Sequence, residues 1–214
     1  MLRPDVWMIS ISDNPVSQYY RDICKPTWEE QGFDVIDFEA VTPETVEKEN
    51  MNELSFHNKI HKSGEESPFT PTEIAIWWSH FVLWHKCLIR KKPIIVAEHD
   101  AFVLKDLPND LYRPSKLKFA FLGRVGRTLA PCTAYYLTPE FAFQLIQIRG
   151  RRWRDNRAGK NDQSIGIYMN VDGYMLMEYL DQKRQKKMRV ADYSKYVTQI
   201  HDDDMGTTIE HRSI

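Results

Sequence analysis

The stretch that decides the fold runs from Phe69 to Leu104 and reads FTPTEIAIWWSHFVLWHKCLIRKKPIIVAEHDAFVL. Thr70 is a candidate N-cap, Pro71 suits the first helical position, and Glu73 can close a capping box, so a helix is predicted to start here. Ile74, Trp77, Trp78, Phe81, Leu83, Trp84 and Leu88 give it a broad apolar face as far as about Arg90. Lys91-Lys92-Pro93 is the turn, and Ile94 to Ala97 is an apolar run too short for a helix between its breakers, hence a buried strand. That strand ends abruptly on Glu98, His99 and Asp100. In an extended chain alternate side chains share a face, so Glu98 and Asp100 can point to one place while His99 points away.

Two carboxylates at the carboxyl end of a strand occupy the edge where ligands of open α/β sheets collect. Such an oxygen-rich pair suits Mg²⁺ or Mn²⁺, which keep open positions for phosphate oxygens. The competing reading is a solvated strand end with turn-forming acids.

Outward from this stretch, Val6 to Ile11 is a β-branched strand, followed by helix-start chemistry at Ser12-Asp13-Asn14-Pro15. A helix is expected from about Pro15 to Gln31, kinked or broken before Pro26 and ended by Gly32, after which DVIDFEAV supplies a second strand. Strand, helix, strand opens an α/β domain with a mixed, mainly parallel sheet flanked by helices. Residues 43–69 form a polar excursion, or lid, within that domain. Further strands are expected at Phe119 to Leu122, Thr133 to Leu137 and Met188 to Val190, with helices from Pro139 to about Arg149 and around Asp162 to Tyr179. One domain over residues 1–200 is expected, with 201–214 a C-terminal tail.

With 214 residues, 42% of them hydrophobic, the chain can fill one sizeable core. Its 29 basic residues nearly balance 30 acidic ones, so global charge advertises neither a nucleic-acid nor a membrane partner, and only a local patch would matter. No apolar run approaches the ~20 residues that span a bilayer, and the N-terminus lacks a signal-peptide pattern, so a soluble, cytoplasmic protein is expected. Cys24, Cys87 and Cys132 show no paired spacing and read as reduced thiols.

Pro71 to Ala75, Ser79-His80, Trp84 and the strand ending Ala97-Glu98-His99-Asp100 together resemble the family 25 glycosyltransferases, the lipooligosaccharide and collagen galactosyltransferase group. There a GEIGC..SH...W helix precedes a strand ending LEDD. WMISISDNP resembles that family's INLDRSP, TAYYLTPEFAFQLI its AYLISPKGAKKLL, and YVTQ and GTTI its late VTQ and STI. Ser10, Ser12, Thr72 and His99 stand where the family has an asparagine, an aspartate, a glycine and a middle acid.

The resemblance implies a Rossmann-like, GT-A type nucleotide-sugar-binding domain, whose acidic motif holds a metal against the donor diphosphate. Glu98 and Asp100 inherit that motif, with Asp100 the stronger candidate for direct contact; His99 touches the nucleotide or packs under it. Ser10, Ser12, Ser79 and His80 fall at donor-pocket positions, and Glu73 matches the same block while also serving the capping box. His201 is the candidate third metal ligand, and Asp162 the candidate base for an inverting transfer or the N-cap of the following helix. Arg151, Arg152, Trp153 and Arg154 are candidates for gripping the acceptor, either a glycan or a hydroxymethylated pyrimidine in DNA. A second, lysine-rich run spans Lys183 to Arg189. The remaining readings are an inactive glycosyltransferase-like binding module and a metal-dependent phosphoesterase.

Overall fold

The computed structural model describes residues 3–48, 56, 59–60, 66–112, 116–125, 128–129, 131–147 and 170–200. It is an α/β domain built on one large mixed sheet. The chain opens β1 (Asp5–Ser10), α1 (Pro15–Glu29) and β2 (Val35–Glu39), continues through α2 (Pro43–Lys48) and a small hairpin of β3 (Lys59–Ile60) and β4 (Glu66–Ser67), and then forms α3 (Pro71–Arg90). After α3 come β5 (Ile94–Glu98), β6 (Ala101–Val103), β7 (Phe119–Val125), β8 (Thr128–Leu129), β9 (Ala134–Leu137), α4 (Pro139–Ile146), α5 (Val171–Gln185) and β10 (Val190–Gln199). The large sheet has the order β2-β1-β5-β9-β7-β10-β6, with β8 beside β7.

The expected capping box is present: the Thr70 hydroxyl accepts from Glu73 N at 3.2 Å while the Glu73 carboxylate accepts from Thr70 N at 2.9 Å. Lys59 adds two bonds to the same carboxylate, tying the β3–β4 hairpin to the start of α3. α3 ends at Lys91 in the left-handed conformation, which frees the chain to turn into β5. Four consecutive apolar residues are needed in β5 because both its faces are covered. Ile94 and Val96 enter a core with Trp77, Phe81 and Trp84 of α3, Phe141 of α4 and Tyr179 of α5. Ile95 and Ala97 enter the opposite core, with Tyr20, Cys24 and Trp28 of α1.

Three differences from the sequence expectations have physical causes. α1 runs unbroken through Pro26. The ring lies exposed, while Trp28 Nε1 donates to Ala101 O at 2.8 Å and Thr27 Oγ1 accepts from Val103 N at 3.1 Å. Those long-range bonds hold the last turn on the sheet against a local cost of about 3 kcal/mol. The sheet is less parallel than expected: β1 pairs in parallel with β2 and β5, and β7 with β10, but β9 lies antiparallel between β5 and β7, and β6 antiparallel beside β10. Finally, the late strand is ten residues, Val190–Gln199, rather than a short one around Val190, and its register on β7 shifts between Asp192 and Val197. Among the described residues all three cysteines are free and buried, and no helix is long and apolar enough to cross a membrane.

Candidate active site

The alternation that sends Ile94 and Val96 under α3 sends Glu98 to the same side, and there it meets His80, whose Nε2 lies 4.0 Å from Glu98 Oε1. Ser10 ends β1 on the neighbouring strand, where Ile9 is paired with Glu98. The carboxyl ends of β1, β2 and β5 therefore share one edge with Glu98, as a site at the end of parallel strands requires.

His80 is almost wholly buried at 1% exposure, and burial pushes its imidazole down to about 3, so it is neutral at physiological pH. Its Nδ1 sits 2.9 Å from the Tyr135 hydroxyl, and Trp84 Nε1 donates to that hydroxyl at 2.9 Å. With the indole already donating, the hydroxyl completes its bonding by donating to Nδ1, which leaves Nε2–H as the edge facing Glu98. The side chains of α3 thus back the acidic strand end from inside the core.

Two further carboxylates, those of Asp100 and Asp172, act on Glu98 electrostatically. Burial pushes the Glu98 carboxyl well above the usual range, and the charges of Asp100 and Asp172 add to the effect. Asp100 is buried in the turn after β5; its Oδ2 accepts from Gln199 Nε2 at 2.8 Å, and its backbone carbonyl accepts from Ile200 N at 3.1 Å. Asp172, in the first turn of α5, accepts from Cys132 N at 2.8 Å through Oδ1. Among the described residues, no lysine or arginine is ion-paired with any of the three.

A divalent cation fits this arrangement on two observations. Asp100 Oδ1 is buried and has no hydrogen-bond partner among the described residues, an unmet acceptor that costs free energy unless something occupies it. Clustered carboxylates without a basic partner are also the oxygen-rich chemistry that Mg²⁺ and Mn²⁺ prefer. The ligand atoms of His80, Glu98 and Cys132 lie within 4.8 Å of one another. Burial and the nearby charges of Asp172 and Glu98 push the Cys132 thiol up, however, so this trio does not offer a ready thiolate. Glu98 and Asp100 supply the hard carboxylate oxygens that such cations take.

The remaining expected residues divide by position. Ser79 is buried and its hydroxyl is engaged with backbone, accepting from Val41 N at 2.9 Å and donating to Ala75 O at 3.1 Å, which pins α3 to the chain leaving β2. Ser10 is buried at the end of β1, and its carbonyl accepts from Ala40 N at 2.8 Å. Ser12 lies in the exposed turn beyond, its N–H donating to Glu39 Oε1 at 3.1 Å. The His99 ring packs beside Tyr20 of α1, 6.2 Å between centroids. Asp162, His201, Arg151, Arg152, Trp153 and Arg154 lie outside the described residues.

Two residues at the site were not singled out from sequence. Asp172 is one: Asn170 caps α5, and Val171 and Asp172 lie in its first turn. Gln199 is the other, the last letter of YVTQ, brought by β10 to the Asp100 carboxylate.

The sequence model described as glycosyltransferase family 25 (LPS biosynthesis protein) matches residues 5–129, more than half of the chain. No curated protein matches. Among solved structures, the chain is similar to a glycosyltransferase involved in glycosylation of the major capsid of PBCV-1, at 9% identity, TM-score 0.44, and 98% and 99% coverage of the two chains. It is also similar to a mutant Drosophila β1,4-galactosyltransferase 7 in complex with manganese, UDP-Gal and xylobiose, at 12% identity, TM-score 0.43, and 96% and 74% coverage.

Proposed function

Because this chain belongs to glycosyltransferase family 25, we propose that it moves a sugar from a nucleotide-sugar donor to an acceptor hydroxyl at the carboxyl edge of β1, β2 and β5, as a GT-A type domain. The observation that carries this reading is Asp100 Oδ1, buried and without a hydrogen-bond partner among the described residues, at the strand end where the charges of Asp100 and Asp172 act on Glu98. Glu98 and Asp100 would hold Mn²⁺ or Mg²⁺, which as a Lewis acid neutralises charge building on the leaving diphosphate. His201, in the tail, is the proposed third ligand.

The chain's own residues do the positioning. Gln199 keeps Asp100 aimed by occupying one carboxylate oxygen, leaving the other free for a ligand. His80 backs Glu98 with a neutral imidazole, so the acid is oriented without being neutralised by a fixed cation. Ser10 and Ser12 are proposed to line the donor side from the end of β1, and His99 to pack beneath the nucleotide.

An inverting transfer needs a base for the acceptor hydroxyl. Asp162 is the proposed base, and Asp172 is its competitor because it faces the acidic cluster. The proposed acceptor is a glycan, in keeping with the family's description; DNA bearing a hydroxymethylated pyrimidine is the alternative, motivated by Arg151 to Arg154.

The test is transfer and hydrolysis of a panel of sugar nucleotides, with and without Mn²⁺, offered glycan and modified-DNA acceptors. Metal-stimulated release of nucleotide, lost in Glu98→Ala and Asp100→Ala, is expected. Asp162→Asn should abolish transfer while sparing donor binding; loss only in Asp172→Asn would reassign the base. Phosphodiester or phosphomonoester cleavage without a sugar nucleotide would overturn the reading in favour of a phosphoesterase.

A further inference from the structure

The edge of the sheet opposite Glu98 carries a feature that glycosyl transfer leaves unused. β5, β7 and β10 begin there and β9 ends there: Ile94 lies beside Leu137, Leu137 beside Phe119, and Phe119 beside Val190. Three strand spacings separate Ile94 from Val190, so these strand ends lie within about 14 Å along the edge.

Three basic segments reach it. Arg90, Lys91 and Lys92 close α3 and lead into β5, Lys116 and Lys118 lead into β7, and Lys186, Lys187 and Arg189 lead into β10. Lys118 N donates to Arg189 O at 2.8 Å, which joins the second and third segments directly. Three of these cations are ion-paired: Arg90 with Asp5, Lys118 with Glu140 and Arg189 with Asp110. Lys91, Lys92, Lys116, Lys186 and Lys187 are exposed, with no carboxylate paired to them among the described residues. In a chain whose formal net charge is −1, this is a local concentration of positive charge rather than a general one.

The apolar side chains beside it discriminate among anionic partners. Ile89, immediately before Arg90, is 75% exposed, and Leu180, one turn before the basic end of α5, is 50% exposed. An exposed isoleucine among lysines gains free energy from hydrocarbon and gains nothing against a phosphate backbone.

We propose that this basic rim docks the protein on an anionic lipid surface, with the lysines on headgroup phosphates and Ile89 at the acyl boundary. Glu98 stands four residues further along β5, roughly 13 Å away on the opposite edge. Docking therefore leaves the donor edge facing the aqueous phase, and lipid binding and donor chemistry are independent.

The test is co-sedimentation of the full chain with phosphatidylcholine vesicles, with and without phosphatidylglycerol. Binding is expected only with phosphatidylglycerol and should fall with salt. Each neutralised cation lowers partitioning about fivefold, so a Lys92→Gln, Lys186→Gln, Lys187→Gln variant should bind roughly a hundredfold more weakly. Ile89→Ser should weaken vesicle binding while leaving elution from a heparin column unchanged. Melting temperature and sugar-nucleotide hydrolysis should be unaltered in both variants. Equal binding to neutral vesicles, or a triple variant that binds like the parent, would overturn the proposal. So would lysine-dependent binding of duplex DNA without any vesicle binding, which would give the rim to a nucleic acid instead.

Discussion

Replacing Glu98 by glutamine should have opposite effects with and without a divalent cation. In the metal-free protein the charges of Asp100 and Asp172 act on Glu98 together with its burial, and its folded-state carboxyl is raised above the usual carboxylate range. A raised acid contributes stability that is fully present below its unfolded value and is lost as pH rises through the folded one. At neutral pH the wild-type carboxylate is therefore a burden, and Glu98→Gln, which keeps the shape and removes the charge, should melt higher than wild type in EDTA. Saturating Mn²⁺ should reverse the order. At about 100 times the dissociation constant a ligand adds about 2.7 kcal/mol to the folded state, and for a chain of this length that is a rise of about 5–11 °C. Wild type should show that rise, and the glutamine variant little of it. Differential scanning fluorimetry of both proteins, in EDTA and across a Mn²⁺ titration, measures all four states. A glutamine variant that melts below wild type in EDTA, or that responds to Mn²⁺ as wild type does, would refute this reasoning about Glu98.

Other consequences reach further into the fold. Tyr135→Phe strips the acceptor from Trp84 Nε1 and the partner from His80 Nδ1, both buried; equilibrium unfolding should show a loss of about 2–3 kcal/mol. A Cβ at Gly123 would sit 2.6 Å from Thr133 Cβ and 2.7 Å from the backbone nitrogen of Ala134, so Gly123→Ala should cost about 1–3 kcal/mol by chemical denaturation. Burial lowers His80 from 6.5 to about 3, so its neutral form contributes stability present above 6.5 and lost as pH falls towards the folded value. In a Glu98→Gln background, where the acid's opposing contribution is absent, His80 should account for a loss of about 2 kcal/mol between about pH 7 and about pH 5.

The helix that carries His80 and the strand that carries Glu98 were legible because their signals are local. Thr70, Pro71 and Glu73 form a cap within one turn, and Ile94 to Ala97 is an apolar run between a proline and two acids. Pro26 misled for the converse reason: a local cost was outweighed by bonds from Trp28 and Thr27 to the strand after Asp100, some seventy residues away. The length of β10 was hidden in the same way, since VADYSKYVTQ carries no apolar alternation and is held as a strand by pairing with β7 and β6. At the site, Glu98 and Asp100 could be read as a pair from their spacing alone. Asp172 could not, because its part depends on a contact with Cys132, forty positions earlier. Gln199 lies inside a block whose family likeness was visible, but its partner Asp100 is ninety-nine positions away, a pairing that no local pattern encodes.

The acidic end of β5 is proposed to bind the diphosphate of a sugar nucleotide through a divalent cation. Isothermal titration of sugar nucleotides into the wild-type chain with Mn²⁺, with EDTA, and into Asp100→Asn with Mn²⁺ tests it most directly. At least one donor should bind the wild type with Mn²⁺, and this binding should be lost in EDTA and in the variant. Binding of equal strength under all three conditions, or no binding by any donor with Mn²⁺, would contradict it.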